Sequence, residues 1–226
     1  TSPWIRSTAG LTDVAHKNGV SVGCVMSIPY GNTVYPSRWS YDNYGRILYQ
    51  LTQKKNGKFV YAEPLVRMMK FYGINGIGFN SEFHTSASSM TLLSDFFVAC
   101  HKEAEKINWK FEVHWYDGTG DDGHIHFDGG LGYHNQKIFG DKDNIATDML
   151  FANYNWGPNH LSGSVSTAKR LGRSSFDYYA GFDIQGRGLR QASWSALLDN
   201  DISIGFWGAH KQSLIHQSAT DNGTSD

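Results

Sequence analysis

Short apolar runs alternate with longer amphipathic stretches along this chain, and this alternation predicts βαβ units in a parallel sheet. The clearest unit begins at residues 74–80, where the run INGIGFN predicts a buried strand. Apolar residues then recur at helical spacing over 93–107, with charged residues between them. A second strand follows at 111–117. The glycines of the first strand suit a crowded barrel interior or the close approach of a ligand.

The number of strands constrains the architecture further. Six strands are predicted, at 20–28, 74–80, 111–117, 149–154, 178–184 and 202–207. A closed barrel of this kind needs eight. We therefore expect an α/β fold, a TIM-type (β/α)8 barrel that is incomplete in this chain, with about six βα units and a strand lacking at each end. Residues 1–217 would form this barrel and 218–226 a polar tail. An open doubly wound sheet tolerates six strands and is the alternative.

Charge and composition bear on the partners of the chain. A formal net charge of −1 gives no field to hold a polyanion, so we expect no nucleic acid and no anionic membrane surface as partner. No apolar run approaches the ~20 residues of a membrane span, and no signal peptide is predicted at the start of the sequence. Aromatic residues make up 14% of the chain. Such rings suit sugars, because they stack on apolar faces and still form hydrogen bonds.

Polar and aromatic residues follow four of the predicted strands where each strand ends, the edge at which functional residues of a parallel βα fold collect. Asn80 and Glu82 lie two apart after the glycine-rich strand, so both side chains can address one ligand. The next three strand ends add Trp115, Tyr116, Asp117, Asn153, Tyr154, Asn155, Trp156, Asp183, Gln185 and Arg187. Together these groups predict a sugar cleft.

The same strand ends carry motifs that resemble a known family. They are GFNSE at 78–82, HWYD at 114–117, NYNW at 153–156 and GFDIQGRG at 181–188. Their order and spacing resemble glycoside hydrolase family 85, whose members are endo-β-N-acetylglucosaminidases that cleave the chitobiose core of N-linked glycans. The resemblance covers roughly residues 10–208. It implies an N-glycan or glycoprotein substrate and no cofactor.

The resemblance also implies roles for individual residues. Glu82 resembles the general acid/base, Asn80 the amide that orients the substrate's 2-acetamido group, and Tyr116 the active-site tyrosine. If the acetamido oxygen attacks the anomeric carbon in a retaining mechanism, one carboxyl group and one amide suffice. We expect burial to raise the pKa of Glu82, which must begin protonated. The expected substrate contacts are Trp115, Phe127, Asn153, Tyr154, Trp156, Asp183, Gln185 and Arg187.

One stretch departs from the family pattern. Where the family usually has a Trp-Gln-Asn-type run after the tyrosine strand, this chain has FDGGL at 127–131. Phe127 keeps a stacking ring, but an acid and glycines replace the amides. The sugar contacts expected there therefore differ from those of the family.

Histidines and aspartates near the same stretch raise the alternative of a metal site. They are His114, His124, His126, Asp117, Asp121 and Asp122. No HExxH motif is present, and residues 117–123 lack the alternation of a calcium loop. We therefore predict structural or exposed histidines and no metal.

Two other functions remain open. A chitinase-like glycosidase of another acetamido-dependent family would present paired aspartates before the Glu, and residues 76–82 contain none. A non-catalytic glycan-binding barrel would not need both Asn80 and Glu82. Localisation is open as well, because bacterial members of the resembled family are typically secreted or periplasmic and some eukaryotic members are cytoplasmic.

Overall fold

The computed structural model describes residues 9–28, 48–187 and 194–208. Its centre is a parallel sheet, and all six predicted strands are confirmed, although most begin later or end earlier than predicted. The strands are β1 Gly23–Ile28, β2 Gly76–Ser81, β3 Glu112–Tyr116, β4 Met149–Phe151, β5 Tyr178–Asp183 and β6 Ser203–Trp207. Each strand is hydrogen-bonded to the next in chain order.

This strand order decides between the two architectures. In a doubly wound sheet the order reverses at a switch point, whereas in a (β/α) barrel each strand lies beside its successor. The fold is therefore of the TIM-barrel type. Within the described residues, β1 and β6 each pair with one strand and not with each other. The predicted boundary at residue 217 and the tail at 218–226 lie outside the described residues.

Helices precede β1 and connect the strands. They are α1 Ala9–Lys17, α2 Ala62–Phe71, α3 Ala87–Lys106, α4 Gln136–Phe139, α5 Pro158–Arg170 and α6 Trp194–Leu198. Two short antiparallel ladders pair 54–55 with 58–59 and 140–141 with 144–145. None of the helices in the described part of the chain is long and apolar enough to cross a membrane.

The longest helix, α3, illustrates why these elements form. The Ser86 hydroxyl accepts the N–H of Ser89 at 3.2 Å and so caps the first turn. The buried residues of α3 then recur at intervals of three and four, which gives the helix one apolar face: Met90, Leu93, Phe96, Phe97, Cys100 and Ala104. This face belongs to the same core cluster as the apolar residues of β2 to β5.

The two faces of the sheet differ in chemistry. Side chains on the helix-covered face are buried and apolar, among them Ile77, Phe79, Val113, Trp115, Leu150, Ala180 and Phe182. The opposite face, called the concave face here, carries several glycines. A Cβ on Gly181 or Gly205 would overlap the ring of Phe151. Gly181 on β5 and Gly205 on β6 therefore leave room for a ring that lies across the sheet.

Candidate active site

A cavity of about 190 Å³ lies along the strands and reaches their carboxyl ends. Its lining includes Asn80, Tyr116, Phe151, Tyr154 and Trp207, which come from β2, β3, β4, the segment after β4, and β6. Residues far apart in the sequence thus meet at one edge of the sheet. This is the edge at which the sequence predicted a sugar cleft.

Glu82 follows β2 and lies between two anchored neighbours. The Ser81 hydroxyl donates to the Tyr116 carbonyl oxygen at 2.7 Å, and the Phe83 side chain is 1% exposed. Thr119 holds the backbone on both sides: its N–H donates to the Ser81 carbonyl at 2.8 Å, and its hydroxyl oxygen accepts the Phe83 N–H at 3.1 Å. The backbone that carries Glu82 is therefore fixed before any substrate arrives.

The environment of Glu82 suits a proton donor. Burial raises the pKa of its half-buried carboxyl group, as predicted. Burial is the main cause that raises the pKa values of Tyr116 and Tyr154, and the charge of Glu82 adds to both, so Glu82 is near enough to both phenols for the charges to interact. Neither the Glu82 carboxyl nor the Asn80 amide hydrogen-bonds to the side chain of another described residue. Both groups can therefore reach a ligand.

Tyr116 is held in a defined orientation. Its hydroxyl donates to the Asn153 side-chain oxygen at 2.8 Å. Its ring centroid lies 6.2 Å from that of Tyr154 and 6.0 Å from that of Phe127. The structure thus brings together four of the residues that the sequence predicted for the site, three of them aromatic.

The end of β5 adds charged groups beside these rings. The Arg187 guanidinium carbon lies 5.6 Å from the centroid of the Tyr154 ring, and its Nε lies 3.9 Å from a carboxylate oxygen of Asp183. The same carboxylate accepts the Gly186 N–H at 2.9 Å. Asp183 and Arg187 therefore lie at the rim of the cleft. Gln185 is exposed, and its backbone N–H donates to the Trp207 carbonyl at 3.4 Å.

Two of the predicted sugar contacts are corrected by the structure. Trp115 is 0% exposed, and its indole N–H donates to the Thr119 carbonyl at 3.1 Å. Trp156 is 8% exposed, and its indole N–H donates to the Gly181 carbonyl at 2.7 Å. Enclosed rings whose N–H groups are already bonded to the backbone do not offer a face to a sugar. Both tryptophans support the cleft by packing beneath it.

Sequence reasoning missed one cavity-lining ring. Trp207 ends β6, lines the cavity and is 40% exposed. Its position at the end of a predicted parallel strand was the same signal that pointed to Tyr116. Trp207 is therefore the exposed tryptophan that the described part of the cleft offers to a ligand.

Asp117, which the sequence placed among the strand-end groups of the predicted cleft, is a buried group that organises the loop beside the site. Its carboxylate is 3% exposed and accepts the Gly129 N–H at 2.6 Å, the Asn135 side-chain amide at 2.9 Å and the Asn153 N–H at 3.4 Å. Burial raises the pKa of Asp117 to about 7, although these three donors act to lower it. Asp117 thus ties the loop that carries Phe127 to the residue that orients Tyr116.

We expect Asp117 to make stability depend on pH. Its pKa rises from 3.8 to about 7 on folding, so the folded state binds the extra proton between these values. The stabilisation of the folded state by this proton is complete below pH 3.8 and is lost as the pH rises through 7. Asp117→Asn should be less stable than wild type, because its amide accepts fewer hydrogen bonds than the carboxylate. Since only the wild type loses this proton-linked stability between pH 3.8 and 7, the difference in free energy of unfolding between the two should shrink over that range, by up to ~1.4 kcal/mol per pH unit.

Urea unfolding at a series of pH values measures the Asp117 effect. The exposed Asp143 provides the matched control, and Asp143→Asn should follow the wild-type pH dependence. A deficit in Asp117→Asn that stays constant between pH 4 and pH 7 would contradict the expectation.

A parallel barrel of the TIM type, with a carboxyl group, an amide and aromatic rings gathered at its strand ends, defines the class of (β/α)-barrel glycoside hydrolases. The family model described as glycosyl hydrolase family 85 matches residues 7–219. The chain belongs to this family. The resemblance seen in the strand-end motifs is thereby confirmed, and the assignment to another acetamido-dependent family is excluded.

Individual relatives agree with the family assignment. The chain is 26% identical to the human cytosolic endo-beta-N-acetylglucosaminidase over 79% of this chain and 22% of that protein. It is 28% identical to cytosolic endo-beta-N-acetylglucosaminidase 1 of Arabidopsis thaliana, over 84% of this chain and 25% of that protein. The chain therefore spans about a quarter of the length of these relatives.

A solved structure supports the fold. The glycoside hydrolase domain of Endo-D from Streptococcus pneumoniae superposes with a TM-score of 0.77 at 23% identity, covering 92% of this chain and 34% of that one. The parallel strand arrangement described above is thus shared with a glycoside hydrolase domain.

Proposed function

We propose that this chain carries the catalytic centre of an endo-β-N-acetylglucosaminidase that hydrolyses the GlcNAc-β-1,4-GlcNAc core of N-linked glycans. The observation that carries the proposal is the placement of Glu82, a half-buried carboxyl group with a raised pKa, beside Tyr116 and Tyr154 and two residues after Asn80. Family membership and the printed names of the human and Arabidopsis relatives support the same activity. Those names also support a cytosolic location.

The proposed reaction is retaining and substrate-assisted. The acetamido carbonyl oxygen of the substrate attacks the anomeric carbon, the bond to the leaving sugar breaks, and the leaving oxygen takes the proton of Glu82. The products of this step are a free GlcNAc-bearing protein and a sugar oxazolinium ion, whose nitrogen keeps its proton. Glu82 then takes a proton from water, which attacks the anomeric carbon and reopens the ring with retention.

Asn80 would position the attacking group. As the acetamido oxygen bonds to carbon, the acetamido nitrogen gains positive charge, and a hydrogen bond from its N–H to the Asn80 side-chain oxygen stabilises that charge. This hydrogen bond is stronger in the transition state than in the bound substrate, and such a difference is what lowers the barrier. Tyr116 remains a protonated donor, because its pKa is raised. The rings of Tyr154, Phe127 and Trp207 would stack on sugar faces.

The test is a digestion of a defined N-glycoprotein followed by mass spectrometry of both products. Cleavage within the core leaves one GlcNAc on the protein and one at the reducing end of the released glycan. A non-catalytic glycan-binding barrel would bind an added free glycan in calorimetry and would yield no cleavage products from the glycoprotein. Products cut at any other bond would contradict the proposed specificity.

Thr119 is expected to matter for catalysis without touching the substrate. Thr119→Val keeps the side-chain shape but leaves the buried Phe83 N–H without its acceptor, which costs ~1–3 kcal/mol of stability. Displacement of Glu82 should lower kcat by up to ~10²-fold with little change in KM. Thr119→Ser keeps the hydroxyl group and should restore most of kcat. Equal kcat losses in the two variants would argue against this positioning role.

A further inference from the structure

Three side chains of the kinds that commonly bind metals lie together in the loop between β3 and α4. Among the described residues, His126, Asp128 and His134 each bring one ligand atom within 4.8 Å of the others. All three side chains are half-buried. The Nδ1 atom of His134 lies 2.9 Å from a carboxylate oxygen of Asp128, and the two imidazole rings are stacked with their centroids 3.8 Å apart.

We propose that His126, Asp128 and His134 form a binding site for a divalent transition-metal ion such as Zn²⁺. Two imidazoles and one carboxylate suit zinc, whereas calcium and magnesium prefer sets of oxygen ligands. Bonds of ~2.0–2.2 Å to one ion place ligand atoms up to ~4 Å apart, which small side-chain movements achieve from 4.8 Å. Because the two rings are parallel, one of them must turn so that both nitrogen lone pairs point at the ion.

A fourth residue supports this assignment. Both carboxylate oxygens of Asp122 lie at 2.9 and 3.0 Å from Nε2 of His126. A histidine that binds a metal usually donates its other ring N–H to a carboxylate, which fixes the tautomer and makes the ligand nitrogen more basic. The His126 tautomer that carries its proton on Nε2 would donate this N–H to Asp122 and leave the lone pair of Nδ1 for the ion. Asp122 is therefore the expected orienting partner.

The loop around the cluster is already fixed by other contacts. The Asp121 carboxylate accepts the N–H groups of Lys137 and Ile138 at 2.8 Å each. The amide of Asn135, the neighbour of His134, donates to the buried Asp117 at 2.9 Å. A site held in this way loses little conformational entropy when an ion binds.

Binding would also fix one of the cleft residues. Phe127 lies between His126 and Asp128 in the sequence and has φ of +53°, a left-handed conformation that is strained for a residue other than glycine. A metal held by both neighbours would stabilise this conformation and keep the Phe127 ring 6.0 Å from that of Tyr116. Only this link to the cleft rests on the proposed function; metal binding itself does not.

The site can be tested by titration with Co²⁺, which substitutes for Zn²⁺ and absorbs visible light when nitrogen ligands bind it. The protein is prepared without a polyhistidine tag, stripped with a chelator and titrated while visible absorption is recorded. We expect one equivalent to bind and to be displaced by Zn²⁺. His126→Gln, His134→Gln and Asp128→Asn should each weaken binding by at least ~10-fold.

His124→Gln is the matched control, since this exposed histidine lies in the same loop and should leave binding unchanged. Circular dichroism checks that each variant is folded. If a histidine variant does not fold, the Co²⁺ binding of Asp128→Asn decides the test. Three results would each overturn the proposal: no visible absorption on adding Co²⁺, Co²⁺ binding that is weakened as much in His124→Gln as in the ligand variants, or Co²⁺ binding that is unchanged in Asp128→Asn. The titration does not depend on turnover, so its outcome is independent of the glycan assay.

Discussion

Glu82→Gln is expected to remove hydrolysis of a natural N-glycan and to leave the fold intact. Glutamine has nearly the same shape as glutamate but can neither give nor take the proton that both proposed steps require. General acid/base groups typically contribute ~10²–10⁴-fold in rate. Because burial raises the pKa of Glu82, the wild-type enzyme holds this proton to a higher pH than an exposed glutamate would. Wild-type kcat/KM should therefore fall as the pH rises past that pKa.

The measurement is the rate of glycan release, followed by chromatography. Glu63 provides a matched control, because it is exposed on α2, where it pairs with Arg67 at 2.8 Å. Glu63→Gln should keep wild-type turnover. If Glu82→Gln retains more than half of the wild-type rate, Glu82 is not the general acid/base.

The second large effect is expected for Asn80→Ala, which should lose hydrolysis of the natural glycan and still process a preformed sugar oxazoline. The oxazoline already contains the bond between the acetamido oxygen and the anomeric carbon that Asn80 is proposed to help form. Only the second step remains, and that step depends on Glu82. The two substrates therefore separate a role in ring formation from a role in folding.

Both reactions of Asn80→Ala are measured under the same conditions, with the double variant Glu82→Gln/Asn80→Ala expected to process neither substrate. Asn159→Ala, an exposed asparagine on α5, is the matched control and should behave as wild type. A parallel loss of both reactions in Asn80→Ala would mean that Asn80 acts structurally, and the substrate-assisted mechanism would lose its main support.

The fold could be predicted where apolar spacing dominates. Parallel strands buried by helices read as apolar runs, and α3 reads as an apolar stripe. Helix α5 was not predicted, because its buried face is only Leu161, Ser164 and Ala168, which gives a weak stripe. A proline at its first position was an available start signal.

The site could be predicted only in part, because strand ends are visible in a sequence and side-chain directions are less so. Trp115 and Tyr116 are adjacent, and the two faces of β3 decide that the first is buried and the second is partly exposed. The contacts of Asp117 reach 12, 18 and 36 residues along the chain. No local spacing rule connects such positions.

Gly181 and Gly205 also limit how this sequence can diverge. The ring of Phe151 occupies the space that a Cβ at either glycine would need. The same ring has its centroid 6.3 Å from that of Tyr116 and 6.2 Å from that of Tyr154. A methyl group gained at Gly205 would therefore displace Phe151 unless position 151 became smaller at the same time, whereas one gained at Gly181 would also overlap the backbone carbonyl oxygen of Ala152, which no change at position 151 removes. Positions 151 and 205 should therefore evolve as a coupled pair while position 181 stays glycine, and paired changes at 151 and 205 offer a lineage a way to reshape the cleft while Asn80, Tyr116 and Tyr154 stay the same.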